Sequence, residues 1–302
     1  TFACARACMC VRTQLLRHWH EPITQDEWSS SLHAISYHYY TKAPLIAWDP
    51  AHLRDAARLP RELLDALNTF RGLLDRKLSP SRQRTSISLD EWGFGPPWAV
   101  TKWGAAHGMY GAVALATLVN HASRLHLVAA NYFQPINEGF LTVHPHNTTL
   151  TPMGEAVTML ARHQGHQLLR VTSVTEEQLD AADLSLLAST DASTGKILVT
   201  IINCNAAVGV RVRLPLAGKP TAQAAHPGAG SSGLNAAVRR LVGTATILKA
   251  TDVVPLMSEL YGGAGQFLPE QPLSTAMEHF DGQKLVAVDV APFSIVQVQM
   301  QS

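Results

Sequence analysis

The sequence lacks an excess of charge of either sign, and it lacks a long apolar run. Its 302 residues hold 24 Lys and Arg against 23 Asp and Glu, so the formal net charge is only +1 at pH 7. Because nucleic-acid binding needs a basic surface, this balance argues against a nucleic-acid partner. The longest apolar stretch, near 111–119, is too short to span a bilayer, and no membrane partner is predicted.

Cysteine is scarce and forms no recognisable metal motif. The four cysteines are Cys4, Cys8, Cys10 and Cys204. The first three have C-x3-C-x-C spacing, which matches no common zinc pattern, and no second half of a site follows. The pairs His144/His146 and His163/His166 are better explained as exposed loop and helix-end residues than as ligands. We therefore predict neither a metal site nor a cofactor.

The N-terminal segment contains no recognisable targeting signal. Residues 1–12 contain no continuous apolar segment, so no signal peptide is visible. The chain starts with Thr rather than Met, from which we expect that it begins inside a longer protein. The localisation is left open.

Strands and helices alternate in the first half of the chain. Strands are predicted at 31–40, 85–90 and 125–130, and helices at 51–77 (with a break at Pro60), 105–122 and from Thr151 to about His166. Such alternation indicates a parallel sheet covered by helices, either a barrel or a doubly wound sheet. Polar and aromatic residues follow each strand, which favours a (β/α) barrel.

The pattern changes after about residue 170, where short β-rich runs are separated by turns. They lie at 196–203, 208–216, 244–248, 284–290 and 294–300. Several alternate apolar and polar residues, which is typical of a β-sandwich. We therefore predict an α/β plus all-β chain. Residues 1–168 form the C-terminal part of a (β/α)8 TIM barrel, with 1–29 unassigned, and residues 169–302 form a β-sandwich domain.

A carboxylate pair ends the second predicted strand. Ile87 and Leu89 lead into Asp90, Glu91 and Trp92, and a loop rich in Gly and Pro follows at 93–97. A (β/α) barrel presents a catalytic acid at the end of a strand in this way. The alternative is that both acids are simply solvated at a strand end.

Three segments, taken in order, resemble those of the α-L-arabinofuranosidases of glycoside hydrolase family 51. Ile35–Tyr40 is similar to a strand that ends in His-x-Tyr, and Leu89–Trp92 resembles the Asp-Glu-Trp nucleophile segment. Ala130–Asn137 is similar to the last-strand segment Ala-Asn-x-x-Gln-x-x-Asn. The resemblance covers residues 30 to 302 and corresponds to the C-terminal half of such an enzyme.

This resemblance implies that Glu91 is the nucleophile of a retaining glycosidase, which forms a glycosyl-enzyme ester that water then hydrolyses. It implies no cofactor. The supporting residues that it implies are His38, Tyr40, Trp92, Asn131 and Gln134, with Trp92 as a wall of the sugar pocket. The substrate would be an arabinofuranosyl-containing saccharide such as arabinan or arabinoxylan, in L-arabinose metabolism.

The chain departs from the family pattern in two ways. Gly93 and Gly95 stand where the family has Asn and Trp, which changes one wall of the sugar site. No Asn-Glu pair, which carries the general acid/base of the family, occurs before Glu91, and Asn137-Glu138 follows the last strand. We therefore expect this chain alone to be weakly active or inactive. Two alternatives to this function are a non-catalytic relic that binds carbohydrate or a partner, and a β-xylosidase-like retaining glycosidase. Whether the chain forms a homo-oligomer is left open.

Overall fold

The structure, a computed structural model, describes most of the predicted strands and helices. The described residues are 33–41, 50–78, 85–94, 105–136, 139–170, 178–179, 183–205, 207–215, 244–249, 276–280 and 283–300. The predictions for the N-terminal cysteines, for the loop at 95–97 and for Asn137-Glu138 lie outside these residues.

Three parallel strands form the first sheet, in the order β1-β2-β3. The strands are β1 (Ala34–Thr41), β2 (Ser86–Phe94) and β3 (Leu127–Tyr132), and the helices of this part are α1 (Pro50–Lys77), α2 (Ala105–Leu125) and α3 (Pro152–Ala161). The predicted alternation of strands and helices is confirmed. Apolar residues at alternate positions of the strands pack with α1 and α2 in one hydrophobic cluster, so both helices lie on the same face of the sheet.

The predicted break at Pro60 is wrong, because α1 runs through this residue without interruption. Leu63, Leu67, Phe70 and Leu74 follow at helical spacing, and each is at most 2% exposed. Burying four such side chains contributes roughly 6 kcal/mol or more. That exceeds the cost of an internal proline, about 3 kcal/mol, so the apolar stripe keeps the helix continuous.

A short hairpin separates β3 from α3. Its strands are β4 (Leu141–Val143) and β5 (Thr148–Leu150), which pair antiparallel. The Thr151 hydroxyl then accepts a hydrogen bond from a backbone N–H in the first turn of α3, and Pro152 occupies the first helical position. The helix begins where the sequence predicts but ends at Ala161, before His166.

Two antiparallel sheets make up the second half of the described chain. One has the strand order β10-β13-β8-β7-β6 and the other β11-β12-β9. The strands are β6 (Gln167–Leu168), β7 (Leu184–Thr190), β8 (Ile197–Asn203), β9 (Val210–Pro215), β10 (Thr244–Lys249), β11 (Ala276–Phe280), β12 (Gln283–Val290) and β13 (Ser294–Met300). Both sheets contribute to a single hydrophobic cluster. Strands β7 and β11 were not predicted, because their sequences are poor in β-branched residues.

The opposite face of the five-stranded sheet packs against α2 and α3. Leu187, Ile202 and Ile295 share a hydrophobic cluster with Met109 of α2 and Met159 of α3. The helices and the antiparallel sheet therefore have a common core. Strand β6, at 167–168, already pairs with β7, so this sheet begins just before the predicted boundary.

Candidate functional site

A β-bulge at Asp90 determines which face of the parallel sheet the residues of β2 occupy. At this point β1 advances by one residue while β2 advances by two, from Leu89 to Glu91, and the pairing with β3 also contains an extra residue of β2. Side chains alternate along a regular strand, so one extra residue reverses the alternation. Asp90 and Glu91 therefore share one face, and Trp92 returns to the face of Leu89.

The two faces of the parallel sheet differ in character. The face toward α1 and α2 is apolar and carries Ile35, Tyr37, Ile87, Leu89, Trp92 and Tyr132. The opposite face, called the polar face below, carries Ser36, His38, Tyr40, Ser88, Asp90, Glu91 and Asn131. The sheet thus separates its hydrophobic core from its chemically reactive side chains.

Glu91 is held at the carboxyl end of β2 by two side chains of β1. The Tyr40 hydroxyl donates a hydrogen bond to Glu91 Oε2 at 2.5 Å. His38 Nδ1 lies 3.4 Å from the same oxygen, and the His38 and Glu91 side chains are 26% and 31% exposed. The structure therefore brings together three of the residues singled out from the sequence. The carboxylate is fixed in orientation and still open to solvent.

Asp90 is a second carboxylate on the polar face, with partners of its own. Ser88 Oγ donates to Asp90 Oδ1 at 2.5 Å. Hydrogen bonds from Ser36 and Ser88 lower the pKa of Asp90 below its ordinary value, and His38 adds a smaller effect in the same direction. Ser36 and Ser88 pair directly across β1 and β2. One serine from β1 and one from β2 therefore favour the ionised form of Asp90.

Trp92 does not form a wall of this site, which corrects the expectation from the sequence. Its side chain is 1% exposed and lies on the apolar face, where its ring meets Tyr132 edge-on at 5.1 Å and Tyr110 at 6.3 Å. The bulge at Asp90 is the physical reason: in regular alternation Trp92 would share the polar face with Asp90, and the extra residue returns it to the apolar face of Leu89. The side chain of Trp92 packs in the hydrophobic cluster on the face of the sheet opposite Glu91.

The segment after β3 supplies the remaining residues that the sequence singled out. Asn131 is exposed on the polar face, and Gln134 is exposed two residues beyond the end of β3. Phe133 lies between Tyr132 and Gln134, and its backbone N–H donates to the carbonyl oxygen of Trp92 at 3.0 Å. This bond holds the end of β3 beside the residue that follows Glu91.

Three buried polar contacts behind the strand ends were not predicted. Tyr110 of α2 forms a 3.0 Å hydrogen bond with Thr41 at the end of β1 and donates to the Gly93 carbonyl oxygen of β2 at 3.5 Å. Burial raises the pKa of the Tyr110 phenol well above its ordinary value. His107, one turn earlier, lies 2.8 Å from the Tyr132 hydroxyl. The only sequence signal was a His and a Tyr three apart on an apolar helix.

The helix-end histidines form a polar network, contrary to the expectation that they are simply exposed. His163 Nδ1 lies 2.7 Å from Ser189 Oγ, and Nε2 lies 2.8 Å from Thr200 Oγ1. His166 Nδ1 lies 3.1 Å from the same serine oxygen. Gln297 Nε2 donates to Thr200 Oγ1 at 3.0 Å. The network joins the end of α3 to strands β7, β8 and β13.

The described residues offer neither a metal-binding cluster nor a membrane-spanning helix. Within them, no group of three or more His, Cys, Asp or Glu side chains could hold a metal ion. No helix in the same part of the chain is long and apolar enough to cross a membrane.

The chain is similar to solved glycoside hydrolases. The GH51 arabinofuranosidase from Xanthomonas axonopodis pv. citri matches with a TM-score of 0.63 at 16% identity, over 94% of this chain and 56% of that chain. The α-L-arabinofuranosidase from Thermotoga maritima, in an arabinose complex, matches with 0.60 at 18%, over 89% and 53%. The family 44 endoglucanase of Clostridium acetobutylium matches with 0.58 at 10%, over 98% and 52%.

These similarities establish a glycoside hydrolase-like fold. At such low identity they concern the fold alone, and the chain spans about half the length of the solved structures that it matches. No protein-family model and no curated protein sequence matches the chain.

Proposed function

We propose that this chain belongs to a retaining glycoside hydrolase that releases terminal α-L-arabinofuranosyl residues, and that Glu91 is its nucleophile. Its parallel sheet would be the last part of a (β/α)8 barrel, and its antiparallel sheets a C-terminal β-sandwich. The observation that carries the proposal is the position of Glu91. Its carboxylate stands at the carboxyl end of the central parallel strand and accepts a hydrogen bond from Tyr40 at 2.5 Å.

In the proposed reaction, Glu91 attacks the anomeric carbon while the bond to the leaving-group oxygen breaks. An ester forms between the sugar and the enzyme, and water then cleaves it with overall retention of configuration. Tyr40 and His38 both contact Oε2 of Glu91. They fix the rotation of the carboxylate, so that Oε1 can be directed at the sugar. Asn131 and Gln134 would contact sugar hydroxyls from the end of β3.

A retaining mechanism also needs a general acid/base on the opposite side of the scissile bond, about 5 Å from the nucleophile. Asp90 does not suit this task, because it stands next to Glu91 on the same strand and the same face. Its hydrogen bonds from Ser36 and Ser88 also lower its pKa, whereas a general acid needs a raised pKa. We propose that a segment other than β1, β2 and β3 supplies this group.

The test uses the product of the whole gene that encodes this chain, with an aryl α-L-arabinofuranoside as substrate. We expect Glu91→Gln to lower kcat by about 10⁴-fold or more. Asp90→Asn is the matched control, since it neutralises the adjacent carboxylate on the same face. We expect it to keep activity within about tenfold. In Glu91→Gly, added azide should restore turnover and yield a glycosyl azide of inverted configuration, because azide replaces the missing nucleophile.

Three other outcomes would contradict this proposal. Undiminished hydrolysis by Glu91→Gln would exclude Glu91 as the nucleophile. Hydrolysis of an aryl β-xyloside but not of the arabinofuranoside would favour the β-xylosidase-like alternative. No hydrolysis of either substrate by the wild-type protein would favour a non-catalytic role. The 302-residue chain, assayed alone, should be slower by roughly 10²–10⁴-fold if the acid/base comes from elsewhere.

A further inference from the structure

An exposed aromatic ring stands at the same end of the sheet as Glu91. Phe133 directly follows β3 and is 41% exposed, although it is one of the larger apolar side chains. Its backbone N–H donates to the Trp92 carbonyl oxygen at 3.0 Å, which fixes its place beside the residue after Glu91. Asn131 lies on the polar face and Tyr132 on the apolar face. The Phe133 ring lies edge-on to that of Tyr40, a polar-face residue, so Phe133 stands on the same side of the sheet as Glu91.

The ring of Phe133 reaches across the central strand. Its centroid lies 6.3 Å from that of Tyr40, and the two rings are at 90°. Tyr40 belongs to β1 and Phe133 follows β3, so the strands that carry them lie on opposite sides of β2. Adjacent strands are about 4.8 Å apart, which separates β1 from β3 by about 10 Å. The two rings therefore lean toward each other over β2, where Tyr40 holds Glu91.

A single exposed apolar residue is ordinary, and core packing is the usual explanation for a large aromatic ring. Phe133 differs because its ring touches the tyrosine that positions Glu91. Trp92, the aromatic residue expected to line the sugar site, is buried on the other face. Sugar rings carry C–H groups as well as hydroxyls, and a binding site for them combines apolar walls with a few placed polar groups.

We propose that Phe133 is a substrate-binding residue whose ring forms the apolar wall against which the C–H face of the sugar bound at Glu91 packs. This inference rests on the proposed function for the identity of the sugar. The contact would be made equally by the bound substrate and by the transition state. Its loss should therefore raise KM and leave kcat nearly unchanged.

The experiment measures kcat and KM of the whole-gene product on an aryl α-L-arabinofuranoside. We expect Phe133→Ala to raise KM about tenfold or more, as loss of a stacked ring does at other binding sites, with kcat within about threefold. Phe133→Trp restores an aromatic surface and should recover most of the affinity. Val128→Ala is the matched control. Val128 lies on β3 and is 62% exposed, and its truncation should leave KM unchanged.

A second readout separates binding from catalysis. In the Glu91→Gln background, saturation-transfer NMR should detect L-arabinose contacts with aromatic protons. Phe133→Leu should weaken these contacts, with the fold intact by circular dichroism.

Unchanged KM in Phe133→Ala, with hydrolysis still abolished by Glu91→Gln, would overturn this inference and leave the proposed function standing. A fall in kcat without a change in KM would overturn it as well, because Phe133 would then act through Tyr40. Neither hydrolysis nor sugar binding by the wild-type protein would overturn both.

Discussion

Acidification should weaken the packing of α3 against the five-stranded sheet through a single histidine. His163 contributes both ring nitrogens to hydroxyl groups of that sheet, Ser189 on β7 and Thr200 on β8. Burial, with a smaller effect from His166, lowers the pKa of His163 from 6.5 to about 4. The imidazole is therefore neutral in the folded protein at pH values where an unfolded chain would protonate it.

The strands around His163 carry no acidic side chain that would compensate a positive charge. The strands that pack around it, β6, β7, β8 and β13, contain no acidic or basic residue. Its nearest charged or titratable neighbours along the chain are Arg162, which donates to Gln297 Oε1 at 3.2 Å, and His166. Glu155 stands two turns earlier on α3, and the carbonyl end of that helix is the one local feature that favours a cation. Protonation would thus add charge beside an existing cation.

The sign and the size of the effect follow from proton linkage. Between about pH 6.5 and pH 4 the unfolded chain binds a proton at this position that the folded chain does not, so the free energy of unfolding falls as the pH falls. The difference between the two pKa values corresponds to about 3 kcal/mol. Part of the imidazole remains in contact with water, and solvent screening reduces the expected effect to about 1–2 kcal/mol.

The assay is urea unfolding of the full chain between pH 7.5 and pH 4. His163→Gln preserves hydrogen-bonding capacity but cannot titrate, so the wild type should lose about 1–2 kcal/mol more than this variant over the range. His146→Gln changes an exposed histidine in the loop between β4 and β5, and it should follow the wild-type curve. Parallel curves for the wild type and His163→Gln would refute the reasoning.

Two further predictions concern the site and the helix packing. Tyr40→Phe removes the donor to Glu91 Oε2 and should lower kcat/KM in the whole-gene product about 10- to 100-fold with thermal stability unchanged; a change below twofold would remove Tyr40 from the proposed mechanism. Gly154→Ala would place a Cβ 2.1 Å from the Phe140 carbonyl oxygen and should cost about 1–3 kcal/mol of unfolding free energy. Gly72→Ala meets only a side-chain atom at 3.4 Å within a helix and should instead stabilise by about 0.5–1 kcal/mol. Equal melting temperatures for the two glycine variants would contradict the packing argument.

The sequence predicted the elements whose signals are local. The alternation in 294–300 matches β13 at both ends, and the apolar spacing in 51–77 matches α1, although the break predicted at Pro60 is wrong. Glu91, His38 and Tyr40 could be grouped in advance because each ends or follows a strand, and parallel strands end at one edge of a sheet. That reasoning needs only the order of strands and not their exact pairing.

The remaining features depend on pairing or on distant contacts. The orientation of Trp92 follows from a bulge that appears only when β2 is aligned with both neighbouring strands. The His163 network joins residues 26 and 37 positions apart, and Gln297 is farther still along the chain. The composition of neither segment reveals these partners. Local sequence patterns predict helices and strands, whereas contacts between side chains distant in the sequence depend on how those helices and strands pack.

Because of the bulge in β2, the residues of this strand that pack the core and the two carboxylates on its other face can be substituted separately. Ile87, Leu89 and Trp92 hold the sheet to its helices, while Asp90 and Glu91 project from the other side and contribute little to that packing. We therefore expect substitution of either carboxylate to leave the hydrophobic packing of the sheet intact. Selection for a stable sheet and selection for a working site can therefore act on neighbouring codons almost independently. Under the proposed function, a single substitution at Glu91 would abolish the reaction while the residues that pack the sheet stay unchanged.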